Sequence, residues 1–174
     1  MISHDSLIRK RVIMALFVSI ALVLSYFERA IPLTYIMPGL KLGLANIITL
    51  MGLILFGWVD VLVIVIVRVL MTSMFTGSVM SFFYSMAGGL LSLISMKLLL
   101  KFGGKHFSLV GVSVLGASAH NTGQMLVLSL VTGSLRIGLQ WLPYLLVAGV
   151  ITGTCLGFIV LNFYRHWQNI APYK

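Results

Sequence analysis

The segment 109-LVGVSVLGASAHNTGQMLVLSLV-131 is apolar or small at almost every position, yet it carries His120, Asn121 and Gln124 near its middle. At about 1.5 Å per residue, a helix of this length crosses the ~30 Å hydrocarbon core of a bilayer. On a wheel of ~100° per residue, Ser113, Gly116, Ala117, His120 and Gln124 fall on one face, with Asn121 at its edge. Polar side chains are costly in lipid, so this face is expected to turn into a bundle of other membrane helices. Two readings then stand. The three side chains hydrogen-bond neighbouring helices, at about 1 kcal/mol each, or the face opens onto a ligand.

The rest of the chain agrees with a bilayer setting. Of its 174 residues 60% are hydrophobic and 9% charged, too little polar surface to coat a soluble domain. The expected fold class is an all-α integral membrane protein. It forms a single domain over residues 1–174, since no polar linker divides it. Six transmembrane helices are expected, over about 12–27, 40–58, 59–71, 81–100, 109–131 and 141–164. The third is only about 20 Å long. It must extend into the next segment or be buried against neighbours. Pro32 and Pro38 make 28-ERAIPLTYIMP-38 a loop, and 72-TSMFTGS-78 reads as a second. Arg9, Lys10 and Arg11 precede the first apolar run, but no small-x-small cleavage site closes it, so it is read as a retained helix.

The formal net charge of +9 follows from basic residues that hold membrane helix ends, which leaves no call for nucleic acid as a partner. With the N-terminus inside, Arg9, Lys10, Arg11, Lys97, Lys101, Lys105, Arg165 and Lys174 lie on the cytoplasmic side. Arg29, Lys41 and Arg136 lie outside. The expected orientation is therefore N-in and C-in, with long outward loops after the first, third and fifth helices. The setting is a cell membrane crossed several times, the lipid bilayer being the chain's solvent.

Small residues mark close helix contacts. Gly149, Gly153 and Gly157 repeat at spacing four, as do Gly39 and Gly43, which lets backbones approach within a bilayer. The first series is read as packing inside the chain. Ala15 and Ser19 give the first helix a small face that could receive a partner subunit.

Arg68, within 61-VLVIVIVRVLM-71, is the sharpest single signal, because a cation in a span costs roughly 3 kcal/mol. It snorkels, pairs with Glu28, or meets an anionic ligand. Lys41 and Arg29 make the same outer half electropositive, with Glu28 as its acid. This favours a carboxylate- or phosphate-bearing ligand. Asn46 in the second span and Tyr84 in the fourth, on a stripe with Gly88, Ser92 and Ser95, are further candidates. Asp60 sits where a helix cap belongs.

Enzyme chemistry lacks its parts. The acids are Asp5, Glu28 and Asp60, widely separated, so no carboxylate pair can hold magnesium or perform acid–base work. No phosphate loop and no metal-ligand spacing occur, and the lone Cys155 allows no internal disulfide. No cofactor and no catalysis are expected.

The segments 37-MPGLKLGLANIITL-50, 81-SFFYSMAGGLLSL-93 and 112-VSVLGASAHNTGQ-124 resemble the membrane family called Gx transporters, also described as heptaprenyl diphosphate synthase component I. That family is similar to the substrate-binding S components of energy-coupling-factor vitamin importers. The resemblance implies a six-helix S-component-like bundle that binds a small ligand under the first loop. It also implies a transmembrane coupling subunit and a pair of ATPases as partners. S components typically show Ala-xxx-Ala on the first helix, where this chain has Ala15-xxx-Ser19. Prenyl diphosphate synthases carry aspartate-rich DDxxD motifs, and none is present here.

The function expected is capture of a small anionic, vitamin- or quinone/isoprenoid-related substrate at the outer face. Lys41, Asn46, Arg68, Tyr84, His120, Asn121 and Gln124 are the candidate ligand residues. A non-catalytic membrane partner of an isoprenoid biosynthetic enzyme, or a stand-alone carrier, are the alternatives.

Overall fold

The computed structural model describes residues 4–29, 41–103 and 107–170. Within them lie α1 (His4–Arg29), α2 (Asn46–Leu55), α3 (Trp58–Thr76), α4 (Val79–Phe102), α5 (Leu109–Thr132) and α6 (Leu135–Ile170). The Pro32/Pro38 loop, Gly39, Lys105, His106 and Lys174 fall outside the described residues, as do the side chains of His4, Asp5 and Arg29. Among the described residues all regular structure is helical.

Among the described residues, three helices are long and apolar enough to cross a membrane: α3, α4 and residues 135–168 of α6. The exterior is apolar around the bundle, with Phe75, Leu126, Leu130, Tyr144, Val147 and Phe158 all exposed. The polar residues Ser92, Ser113, His120, Asn121 and Gln124 are buried. This inversion of the soluble pattern suits hydrocarbon as the surrounding medium.

Several expected boundaries move. The second span, expected over 40–58, forms a helix of only 10 residues, about 15 Å or half the hydrocarbon thickness. Residues 43–48 enter it through tight backbone bonds such as Asn46 N–H to Gly43 C=O at 2.8 Å, and Phe56 leaves it extended. The expected loop 72–78 is helical as far as Thr76. Two of its hydroxyls bond to the helix itself, Ser73 donating to the Val69 carbonyl and Thr76 to the Ser73 carbonyl. They therefore carry little cost in an apolar helix. The third helix extends through this segment, one of the two routes its shortness demanded. The sixth helix begins at Leu135 rather than 141 and holds Pro143 within it.

The loops expected to be long after the third and fifth helices are instead two-residue turns. Both read Thr-Gly-Ser, 76–78 and 132–134, and both place the glycine in the left-handed region, Gly77 at φ 61° and Gly133 at φ 64°. A left-handed glycine closes the last helical carbonyls, and Ser78 then caps α4 by accepting from Ser81 N–H at 3.2 Å.

The broadest contact is α5 against α6. A Cβ on Gly153 would stand 2.6 Å from Val114 Cα, and one on Gly157 would stand 2.7 Å from Val110 Cα. The spacing-four glycines thus pack inside the chain, as read from the sequence. Two apolar clusters divide the interior. One gathers Phe17, Ile48, Leu50, Ile64, Met96 and Val160 around α2. The other joins Tyr84, Met125, Leu128 and Leu145. Ser85 and Ser92 along α4, and Ser113, His120, Asn121 and Gln124 along α5, fall between residues of these two clusters.

Candidate ligand-binding site

Position 68 of α3, position 28 of α1, residues 41–43 and position 120 of α5 meet around one small cavity. Ser25, Thr72 and Ser85 complete its polar lining. Its volume is about 10 Å³, at the threshold for a single water molecule.

Two cations stand in this wall. Arg68 is 5% exposed and Lys41 8%. The Lys41 ammonium donates to Ser85 Oγ at 2.7 Å. Glu28, 3% exposed, is the acid at this end. Its Oε1 accepts from the Gly43 N–H, and from Leu44 N–H at 3.2 Å. No hydrogen bond or ion pair joins it to Arg68, whose Nη2 is buried without a partner. The other two acids are remote. Asp5 lies 23 residues away on the same helix, about 35 Å along its axis. Asp60 accepts from Gly57 N–H at 3.1 Å, the cap expected of it, and pairs with Lys10 at 2.8 Å. Two cations thus share a buried wall with one carboxylate.

Glycines make the room. Gly43 has φ 82°, a left-handed value open to glycine, and a Cβ there would lie 2.6 Å from Asn46 Nδ2 and 3.1 Å from His120 Cδ2. A Cβ on Gly88 would lie 2.8 Å from His120 Nδ1, and one on Gly89 would lie 3.2 Å from Arg68 Nη2. The pair 88-GG-89 therefore seats the histidine ring and the guanidinium side by side on α4.

The predicted site residues separate into three groups. Arg68, His120 and Asn46 carry buried polar atoms without partners: Nη2 of Arg68, one ring nitrogen of His120, whose ring also meets the Gly88 backbone, and both amide atoms of Asn46. Such atoms are rare in a folded protein. Gln124 and Asn121 are satisfied within the chain. Gln124 accepts from Lys41 N–H at 2.8 Å and donates to Lys41 C=O at 2.7 Å, a two-point clamp on the backbone that carries the ammonium. Asn121 donates to Leu145 C=O at 2.5 Å, tying α5 to α6. Tyr84 belongs to the second apolar cluster and does not line the cavity. Ala15 and Ser19 are exposed on α1, with the Ser19 hydroxyl donating to Ala15 C=O at 3.0 Å.

Sequence reasoning missed Ser85 and the role of Gly89. The signal was present in the i, i+3, i+4, i+7 pattern Ser85, Gly88, Gly89, Ser92, one position over from the Tyr84 stripe.

A family model described as heptaprenyl diphosphate synthase component I matches residues 17–163, which include every element around the cavity. No curated protein and no solved structure matches the chain.

Proposed function

The chain belongs to the heptaprenyl diphosphate synthase component I family, and from that premise we propose that it is a membrane subunit that captures a small anionic molecule in the Arg68–Lys41–His120 cavity. The observation that carries this reading is the excess of buried positive charge over Glu28, together with the unpartnered atoms of Arg68, His120 and Asn46. An uncompensated cation in a low-dielectric interior is costly, and an anionic group relieves it. Arg68 and Lys41 pair with that group. His120 and Asn46 hydrogen-bond the remainder of the ligand, and Gln124 and Asn121 hold the wall in place. Since the cavity admits about one water, binding requires the wall around residues 41–43 to move outward.

In this reading the six helices form an N-in, C-in bundle in the cell membrane, with α2 entering the bilayer only partway and the site in the outer half. The chain acts as the substrate-binding subunit of an energy-coupling-factor type importer. Its ligand is vitamin- or quinone/isoprenoid-related, and Ala15 and Ser19 face a transmembrane coupling subunit that works with an ATPase pair. The family description favours a second reading, a non-catalytic membrane partner of the synthase. Pull-down from the native membrane separates them: ATPases and a membrane coupler in one case, a soluble prenyl synthase in the other.

The site itself is tested by thermal unfolding of the purified protein with the small molecules that co-purify with it. A ligand at 100 times its Kd stabilises by about 2.7 kcal/mol. That shift should vanish in Arg68→Ala and His120→Ala. Wild-type affinity in both variants would remove the site assignment.

A further inference from the structure

A second cavity adjoins the first. It has a volume of about 200 Å³, opens at the surface of the bundle, and is lined by Leu22, Tyr26, Thr72 and Phe75. Thr72 also lines the charged cavity. On α1, Ser25 faces the charged cavity while Leu22 and Tyr26, flanking it in sequence, line the apolar one. On α3 the order Arg68, Thr72, Phe75 runs in the same sense from cation to hydroxyl to aromatic ring. Tyr26 and Phe75 are 72% and 77% exposed, on the apolar exterior of the bundle. Thr72 thus joins the cavity of the two buried cations to an apolar groove between α1 and α3 on the apolar exterior of the bundle.

From this continuity we infer that the ligand is an amphiphile, with an anionic head between Arg68 and Lys41 and an apolar chain lying in the Leu22–Phe75 groove. The inference rests on the anion-binding reading above and adds the chemistry of the rest of the ligand. A carboxylate or a phosphate serves equally as the head, since both present oxygens to a guanidinium and an ammonium. The chain length is set by an apolar groove some twenty times the volume of the head cavity. A molecule of this kind reaches the site sideways from the bilayer, along the α1–α3 seam, with its tail remaining in an apolar medium throughout.

The test uses the full chain in lipid nanodiscs and two homologous series: inorganic phosphate with butyl, octyl and dodecyl phosphate, and acetate with the matching carboxylates. Apparent Kd is read from the shift of the unfolding midpoint. In at least one series affinity should climb about fourfold per methylene until the groove is full. Leu22→Trp, which fills the groove, and Leu22→Gln, which makes it polar, should flatten that slope and leave the affinity for the inorganic anion or acetate as it was. Val23→Trp puts the same bulk on the adjacent lipid-exposed position and should keep the slope, so that partitioning into the disc cancels. An equal slope in wild type and both Leu22 variants overturns the amphiphile. Stabilisation of wild type by the bare anions with no gain from chain length also overturns it, while the anion-binding reading stands. No response to any member, or the same response in Arg68→Ala, overturns the anion-binding reading itself.

Discussion

The bundle treats charge in opposite ways at its two ends. At the end that holds the start of α1, Lys10 meets Asp60 at 2.8 Å, both side chains partly exposed. Beside them Lys97 stacks over the Trp58 ring at 3.6 Å. Both of these cations have a partner and are partly exposed. At the other end Lys41, Arg68 and Glu28 are all buried, and the acid bonds backbone N–H groups in preference to the guanidinium. A pair at a surface contributes little and leaves nothing unsatisfied. A buried set with unequal charge is strongly coupled and incomplete. The first arrangement anchors helix ends, and the second is the one that the proposed function completes with an anionic ligand.

The sharpest way to break this contrast is Glu28→Gln. The amide still accepts from Gly43 and Leu44, so the local backbone keeps its bonds. The two cations lose their one compensating charge. Removing one member of a buried charged set costs about 3–5 kcal/mol, and a fall of that order is expected in the unfolding free energy of the ligand-free protein. An anion should then stabilise the variant more than it stabilises wild type. A loss below about 1 kcal/mol would mean that Glu28 is solvated and that the two ends do not differ as described.

Gly88→Ala probes the same end by shape. The new Cβ would stand 2.8 Å from the His120 ring and 2.9 Å from its carbonyl oxygen. Overpacking of this kind costs about 1–3 kcal/mol. His120→Ala in the same chain removes the ring, though not the carbonyl, so part of the loss should return. A double-mutant cycle on unfolding free energies reads the coupling as the difference from additivity. Strict additivity would show that the glycine pair does not seat the histidine.

The inward face of α5 was legible because 3.6-residue periodicity and the cost of polar groups in lipid both act on that one helix. Arg68 was legible for the same reason. Which polar residues are satisfied inside the chain was not. Gln124 and Lys41 are 83 positions apart, and nothing local to either shows that an amide will clamp a backbone segment. The sequence places Lys41 on the outer side, as positive charge near a span end, and does not show how deeply it is buried. Its burial depends on Ser85, on another helix. The short α2 was hidden by a run over 47–56 that is apolar apart from Thr49 and Gly52, since hydropathy cannot separate a helix from the extended residue that ends it. The helical 72–76 segment was hidden by hydroxyls, which resemble loop residues until their donors are traced to carbonyls one turn back.

The smallest effect belongs to the exposed end. Lys10→Ala removes the ion pair with Asp60 and leaves the acid its bond to Gly57 N–H. The side chain of Lys10 is 42% exposed and that of Asp60 22%, so water replaces the lost contact on both sides. The expected loss is about 0–1 kcal/mol, shrinking as salt is added because exposed pairs are screened within a Debye length of about 10 Å at 0.1 M. Measured beside Glu28→Gln at low and high salt, the two variants should separate in both size and salt dependence. If Lys10→Ala matched Glu28→Gln in cost and ignored salt, the pair would have to be desolvated, and the contrast between the two ends would collapse from the surface side.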